Sequence, residues 1–164
     1  MGRMRFSPLR WVPEGAIGIL HEVGRHLLRR PVVGIAAAAT TADGRYLLIR
    51  RGDTGTWALP GGTLEWGETL RNALPRELEE EAGVVQCDFG GVVGVYSAPH
   101  RDPRFHAVTI VVRCLVEEPR KAPKNPLEIL QVGLFRASDI PRPLAMGMDA
   151  MLDAAMAGRT GDWE

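Results

Sequence analysis

Four glutamates gathered at the end of one helix constrain this chain more than any other feature in it. Glu77, Glu79, Glu80 and Glu81 stand just before Gly83, a glycine placed as a left-handed C-cap, so they fall in the last turns of the predicted helix. The macrodipole is negative there, and a carboxylate in such a position costs about 0.3–1 kcal/mol. Helical spacing puts Glu77, Glu80 and Glu81 on one face, where each pair repels by about 0.2–0.5 kcal/mol. Such a turn is either a solvated acidic face or a seat for a hard divalent cation, whose charge reverses both penalties. The residues in front favour the second reading. Pro60-Gly61-Gly62 is a tight turn free of side chains, able to bring backbone close to a ligand, and Glu68 and Arg76 add an acid and a base at fixed offsets.

Written from Gly62, the stretch runs glycine, five residues, Glu68, seven residues, Arg76-Glu77-Leu78, one residue, Glu80-Glu81, one residue, Gly83-Val84. It resembles the Nudix box at every specified position, and nine positions at set spacing are a specific signature. Periodicity alone reaches only a mixed α/β chain. The resemblance implies the Nudix α/β/α sandwich, a mixed β-sheet between helices, and a pyrophosphohydrolase that works with Mg2+ or Mn2+. It also implies that Glu77, Glu80, Glu81 and the Gly61 carbonyl hold the metal, while Arg76 and Glu68 pair behind them and fix the helix against its loop. The proton acceptor is then Glu80 or a further glutamate outside the box. Glu128, just ahead of a later strand, is the first candidate, with Glu117 and Glu118 as alternatives.

A second, shorter motif bears on the substrate. Pro99 lies fifteen residues beyond Val84 and is followed by Arg101-Asp102-Pro103-Arg104, which resembles the ADP-ribose pyrophosphatase subgroup of the family, although Phe105 replaces an expected glycine. That resemblance implies a nucleoside diphosphate linked to another moiety as substrate, ADP-ribose first, and the subgroup often forms homodimers. A nucleoside triphosphatase or RNA 5′-pyrophosphohydrolase would share the metal site, and a nucleotide-sensing module would bind without cleaving. Physically, the loop of His100, Arg101 and Arg104 suits a phosphate or a ribose, or is simply an exposed basic loop. Arg50 and Arg51, at the end of a predicted strand, either clamp a pyrophosphate with forked donors or cap a solvated strand end.

The remaining sequence organises itself around the box. With 164 residues, twenty basic and twenty acidic, the chain is one domain with no global field to draw nucleic acid or a membrane. Residues 1–31 read as an arm and a glycine-weakened helix, in which His21 and His26 are surface or packing residues. Residues 32–157 form the domain and 158–164 a mobile tail. Strands are expected over residues 32–39, 46–49, 87–96, 107–116 and 131–136, with glycines at 90, 91 and 94 marking a close backbone approach or a bulge in the third. Residues 117–126 read as a turn or lid, and a last helix runs over residues 144–156 with methionines that fill the core. Pro75 predicts either a kink in the box helix or a later start capped by Asn72, and the kink is expected. Cys87 and Cys114 are too few for a disulfide framework, in keeping with a reducing cytoplasm, and no apolar run is long enough to span a membrane.

Overall fold

The computed structural model describes residues 30–164, together with Ile19, Val23 and Gly24, which are helical. The rest of the helix expected ahead of the domain, with His21 and His26, lies outside the described residues. Chain contacts separate Met1–Arg30 from Pro31–Glu164.

Eight strands form one mixed sheet: β1 (Val32–Thr40), β2 (Tyr46–Arg51), β3 (Trp57–Ala58), β4 (Gly61–Thr63), β5 (Cys87–Tyr96), β6 (Ala107–Val116), β7 (Ile129–Phe135) and β8 (Asp162–Trp163). The order is β3-β2-β1-β6-β5-β8, with β4 added to β1 and β7 to β2. The β1–β6 and β5–β8 pairs are parallel and the others antiparallel. β1 lies beside β6 along its whole length, from Val32↔Ala107 to Thr40↔Leu115. On its other side it is shared, meeting β2 only at Thr40↔Tyr46 and β4 at Gly34↔Thr63 through Ala36↔Gly61. The Pro60-Gly61-Gly62 turn therefore fills the fork where β1 and β2 diverge, and Ala37 N–H donates to the Pro60 carbonyl at 2.9 Å.

One helix covers each face. On α1 (Leu70–Ala82) the apolar stripe of Leu74, Leu78 and Ala82 packs against Ile35, Ala37 and Ile49. On α2 (Met148–Met156) Met151 and Leu152 pack against Ala36, Ala38 and Leu48 on the opposite face. The alternation of β1 makes this possible, since odd residues face one helix and even residues the other. Its alanines keep both helices close. Leu74 and Leu78 are fully buried, each worth about 1.5–3 kcal/mol, so their side of α1 grips the sheet and leaves the carboxylate side free.

Several local expectations change. α1 is unbroken from Leu70 to Ala82 with Pro75 inside it, and its N-cap is Thr69, so the later start at Asn72 does not occur. Gly83 takes φ 67° and closes the helix, its N–H donating to Glu79 O and that of Val84 to Leu78 O, both at 3.1 Å. The last helix starts later than expected, behind a 3-10 turn over Ala145–Gly147 in which Met146 and Gly147 are both left-handed. The segment expected as a mobile tail supplies β8, bound to the edge of β5. β5 carries the expected irregularity, with register shifts between Phe89 and Val92 and between Val92 and Gly94. Among the described residues no helix is long and apolar enough to cross a membrane.

Candidate active site

Both glycines of the turn are closely approached, Gly61 by backbone and Gly62 by a side chain. A side-chain carbon on Gly61 would overlap the Ile35 carbonyl, and one on Gly62 would overlap the Glu77 carboxylate. The turn thus presses on α1, and Gly61 N–H donates to Glu81 Oε2 at 2.7 Å. Glu81 is 7 % exposed, and burial pushes its carboxyl up to about 8 against the pull of the Gly61 amide, with Glu77 and Glu128 adding to the rise. Burial also raises Glu77; Arg76 opposes the shift, while Glu80 and Glu128 reinforce it.

Arg76 is the hub of this group. Its Nε and Nη2 donate to Glu68 Oε1 and Oε2, both at 2.9 Å, and its Nη1 donates to Glu77 Oε1 at 3.0 Å. The bond to Glu68 is the main reason its pKa is raised, and the Glu68 carboxyl is lowered in return. Glu68 also accepts the Glu65 N–H at 3.1 Å, so the pair fastens the loop ahead of α1 to the helix, as its place in the box implied.

Glu80 sits between Arg76 Nη1 at 3.7 Å and Lys124 Nζ at 2.7 Å. Glu79 points elsewhere, to Lys121 at 2.6 Å. Both lysines belong to the expected lid, and its backbone completes the helix end: Lys124 N–H donates to Glu80 O at 2.7 Å and Arg120 N–H to Gly83 O at 3.0 Å. Glu128 precedes β7, its carbonyl accepts Gly52 N–H at 2.7 Å, and its charge is felt at both Glu77 and Glu81. Glu117 and Glu118 are spent on Arg120 and Arg45, on a wider open groove between Thr41, Pro75 and Arg120 that contains none of the box carboxylates. Of the three candidates, Glu128 is the one whose charge is felt at the box carboxylates.

Among the described residues no three side chains converge as a ready-made metal cage. The donor set nevertheless fits a hard divalent cation. It is all oxygen, it is partly buried, and Glu77 and Glu81 are raised by burial and by neighbouring carboxylates, a cost that a bound cation would reverse. Arg76 and Lys124 meet part of that demand here.

Beside the turn lies a cavity whose walls include Gly61, Gly62, Arg51, Arg101 and Arg104, closed by Tyr96, Phe105 and Met146. The arginines expected to act together are divided by strand alternation. Arg51 faces the α1 side, where it pairs with Asp53 at 2.8 Å and offsets part of the rise at Glu81. Arg50 points the other way, to Gly55 O at 2.9 Å and Gln131 at 3.3 Å, and Pro99 is exposed on a turn; neither lines the cavity. Arg104 is clasped by Asp102 at 2.9 and 2.8 Å and touches Asp53 at 3.1 Å. Arg101 is clasped by Glu164, with both bonds at 2.6 Å.

Sequence reasoning missed Lys124, Glu164 and the buried Asp102. It assigned Met146, Met148 and Met151 to core filling, which holds, since Met151 is in the core and the other two pack against it, but it did not foresee that all three also line the cavity. Only Asp102 had a local signal, its spacing of two residues from Arg104.

Comparison with known proteins agrees with this geometry. An ADP-ribose pyrophosphatase of Methanocaldococcus jannaschii is 46% identical over 72 residues, covering 42% of each chain. A CTP pyrophosphohydrolase of Escherichia coli is 30% identical over 136 residues, covering 68% of this chain and 97% of that protein. A MutT Nudix hydrolase from Burkholderia pseudomallei superposes with a TM-score of 0.66 at 32% identity, over 77% of this chain and 98% of that one. The segments matched in the first two curated relatives, the archaeal enzyme and a MutT-like protein of Streptomyces ambofaciens, span only 42% and 50% of their lengths. The model of the NUDIX domain matches residues 28–155, which include the whole sheet but β8, both carboxylate-bearing segments and nearly all of α2, and the chain therefore belongs to the Nudix family.

Proposed function

We propose that this chain is a metal-dependent hydrolase that cleaves the diphosphate of a nucleoside diphosphate linked to another moiety, ADP-ribose or a similar nucleotide sugar. The observation that carries the reading is the placement of Glu77, Glu80, Glu81 and Glu128 around a side-chain-free turn that opens into an arginine-lined cavity. Glu77, Glu80, Glu81 and the Gly61 carbonyl would hold Mg2+ or Mn2+. The metal would supply charge for the diphosphate oxygens and lower the pKa of the attacking water. Arg76 and Glu68 hold the ligand helix in register with its loop.

In the reaction a P–O bond to water forms as the bridging P–O bond breaks, and the water proton needs an acceptor. Glu128 is the better placed of the two candidates. Glu80 already carries Lys124 and Arg76, whereas among the described residues the Glu128 carboxylate has only a 3.4 Å contact from Asn125 Nδ2, and its charge is felt at the ligand carboxylates. The opposite wall supports a diphosphate flanked by two larger groups. Its arginines each arrive with a carboxylate, so they offer spare N–H donors with little net positive charge, and the rings and thioethers beside them suit a base or a sugar face. A terminal triphosphate would find little uncompensated charge.

The likeness to a CTP pyrophosphohydrolase supports a second reading, nucleoside triphosphate hydrolysis at the same metal site. One assay separates them. Purified protein with Mg2+ is given ADP-ribose, other nucleotide sugars, dinucleoside polyphosphates, nucleoside triphosphates and 5′-triphosphorylated RNA. Release of AMP and ribose 5-phosphate from ADP-ribose, faster than pyrophosphate from any triphosphate, is the expected result. The reverse ranking overturns the proposal.

A further inference from the structure

We infer that Glu164 is a positioning residue of the substrate site: it fixes the Arg101 guanidinium, which lines the cavity beside the glycine turn, and through Arg101 it holds the methionine corner of the opposite wall. The inference rests on the reading of that cavity as the substrate site, given above.

The geometry is a clasp. Glu164 Oε1 and Oε2 take Arg101 Nε and Nη2, both at 2.6 Å, and Arg101 Nη1 donates to Gly147 O at 2.7 Å. The guanidinium carbon stands 5.6 Å from the centre of the Tyr96 ring. Three of the five N–H groups of an arginine are thereby committed to the protein and two remain for acceptors in the cavity. A planar fork held in this way loses little freedom when a ligand arrives, which is how a pre-ordered donor gains affinity.

Glu164 is itself tied down. Its Oε1 accepts Ala98 N–H, its backbone oxygen accepts the Ser97 hydroxyl, both at 3.0 Å, and its own N–H donates to Val95 O at 3.3 Å. β8 precedes it in the sheet, and there Asp162 accepts the Tyr96 hydroxyl at 2.8 Å. The bond to Arg101 holds the carboxyl well below its usual range, at about 2, so the clasp stays charged through the working pH range.

The far end of the chain of contacts bears on the cavity directly. Arg101 bonds the carbonyl of Gly147, whose predecessor Met146 is left-handed at φ 55°, an uncommon state for a side-chain-bearing residue. Met146 lines the cavity, and a side-chain carbon on Gly147 would meet Arg101 Nη1 at 2.7 Å. Glu164 therefore controls two walls through one guanidinium.

The test compares wild type, Glu164→Gln, Arg101→Lys and the double variant, with two readouts. The first is the side-chain Nε–H resonance of Arg101 in 15N NMR, recorded with EDTA and titrated with ADP-ribose. A slowly exchanging resonance in the wild type that shifts with ADP-ribose, and is broadened away in Glu164→Gln, is expected. The second is steady-state kinetics on whichever panel substrate the wild type cleaves best. Each single variant should raise KM about tenfold with kcat within twofold, and the double variant should be no worse than either, as for one interaction removed twice. A normal KM in Glu164→Gln beside a raised KM in Arg101→Lys overturns the inference, as does a fall in kcat that follows lost thermal stability. Failure of the proposed function looks different: ADP-ribose shifts the Arg101 resonance and is not cleaved, which leaves the clasp standing. A resonance indifferent to ADP-ribose and to every cleaved nucleotide removes the clasp itself.

Discussion

On the helix side of the glycine turn, burial and neighbouring carboxylates raise both Glu77 and Glu81. On the loop side Arg101 and Arg104 each meet a carboxylate, and those partners, Glu164 and Asp102, are held down, Glu164 to about 2. The first wall is electrostatically unfinished and the second is complete. The difference teaches where each kind of work is done. An incomplete group gains most from a cation and so belongs to the chemistry, while a satisfied group is rigid and serves recognition by the position of its remaining donors.

The largest effect should come from the unfinished wall. Glu80→Gln and Glu81→Gln, made singly, should each lower turnover at least a hundredfold, since a lost ligand removes about 3 kcal/mol or more of charge stabilisation in the transition state. Far-ultraviolet circular dichroism and the melting profile should stay near those of the wild type. Near-normal rates in both variants would erase the contrast between the walls, because the carboxylates would then be no more than an acidic surface.

The two walls should also fail at opposite ends of the pH scale. Glu81 has its folded value pushed up to about 8 from an ordinary 4.5, so the folded state keeps a proton that the unfolded chain releases. That contribution is complete below pH 4.5 and is lost as pH rises to about 8, on the order of 5 kcal/mol in the metal-free protein. Glu164 and Asp102 behave oppositely: their contributions are present above their ordinary values of 4.5 and 3.8 and are lost as pH falls below them, for Glu164 towards about 2. Urea unfolding in EDTA between pH 5 and 8 should show the first slope, and Glu81→Gln should flatten it. Mg2+ at pH 8 should restore the wild type.

A smaller change probes the joint behind the ligands. Arg76→Lys keeps the charge but cannot clasp Glu68 with two parallel bonds, so Mn2+ affinity should weaken about tenfold with little change in stability. Isothermal titration with Mn2+ reads it directly. An unchanged affinity would show that the helix and its loop stay in register without the pair.

The contrast between the walls also explains what could be read from the sequence. The incomplete wall is local: Gly61, Gly62, Glu68, Arg76 and the glutamates before Gly83 lie within one stretch, and helix period, cap and turn chemistry place all of them. The complete wall is assembled from distant pieces. Arg101 finds Glu164 and Arg104 finds Asp53, partners 63 and 51 residues away, and no periodicity announces such pairs. β8 was hidden for the same reason, since two residues pairing at an edge leave no pattern. The division of Arg50 from Arg51 was legible, because the alternation that buries Leu47 and Ile49 beside α1 sends Arg51 with them and Arg50 away.

Lys124 is the point at which the unfinished wall borrows a charge from outside. Its Nζ lies 2.7 Å from a Glu80 oxygen, where a divalent ion would also seek a donor, so ammonium and metal compete for one carboxylate. The lid does not depend on that bond for its position, because Lys124 N–H holds Glu80 O and Arg120 N–H holds Gly83 O through the backbone. Lys124→Met should therefore leave the lid in place and remove only the competitor. Because the ion pair is exposed, the gain is small: the Kd for Mn2+ should fall about twofold to threefold, and the difference should shrink in high salt. A Kd that rises instead would mean that the lysine stays beside the occupied site and helps to hold the carboxylate for the metal, which would make the lid a part of the metal wall and not its rival.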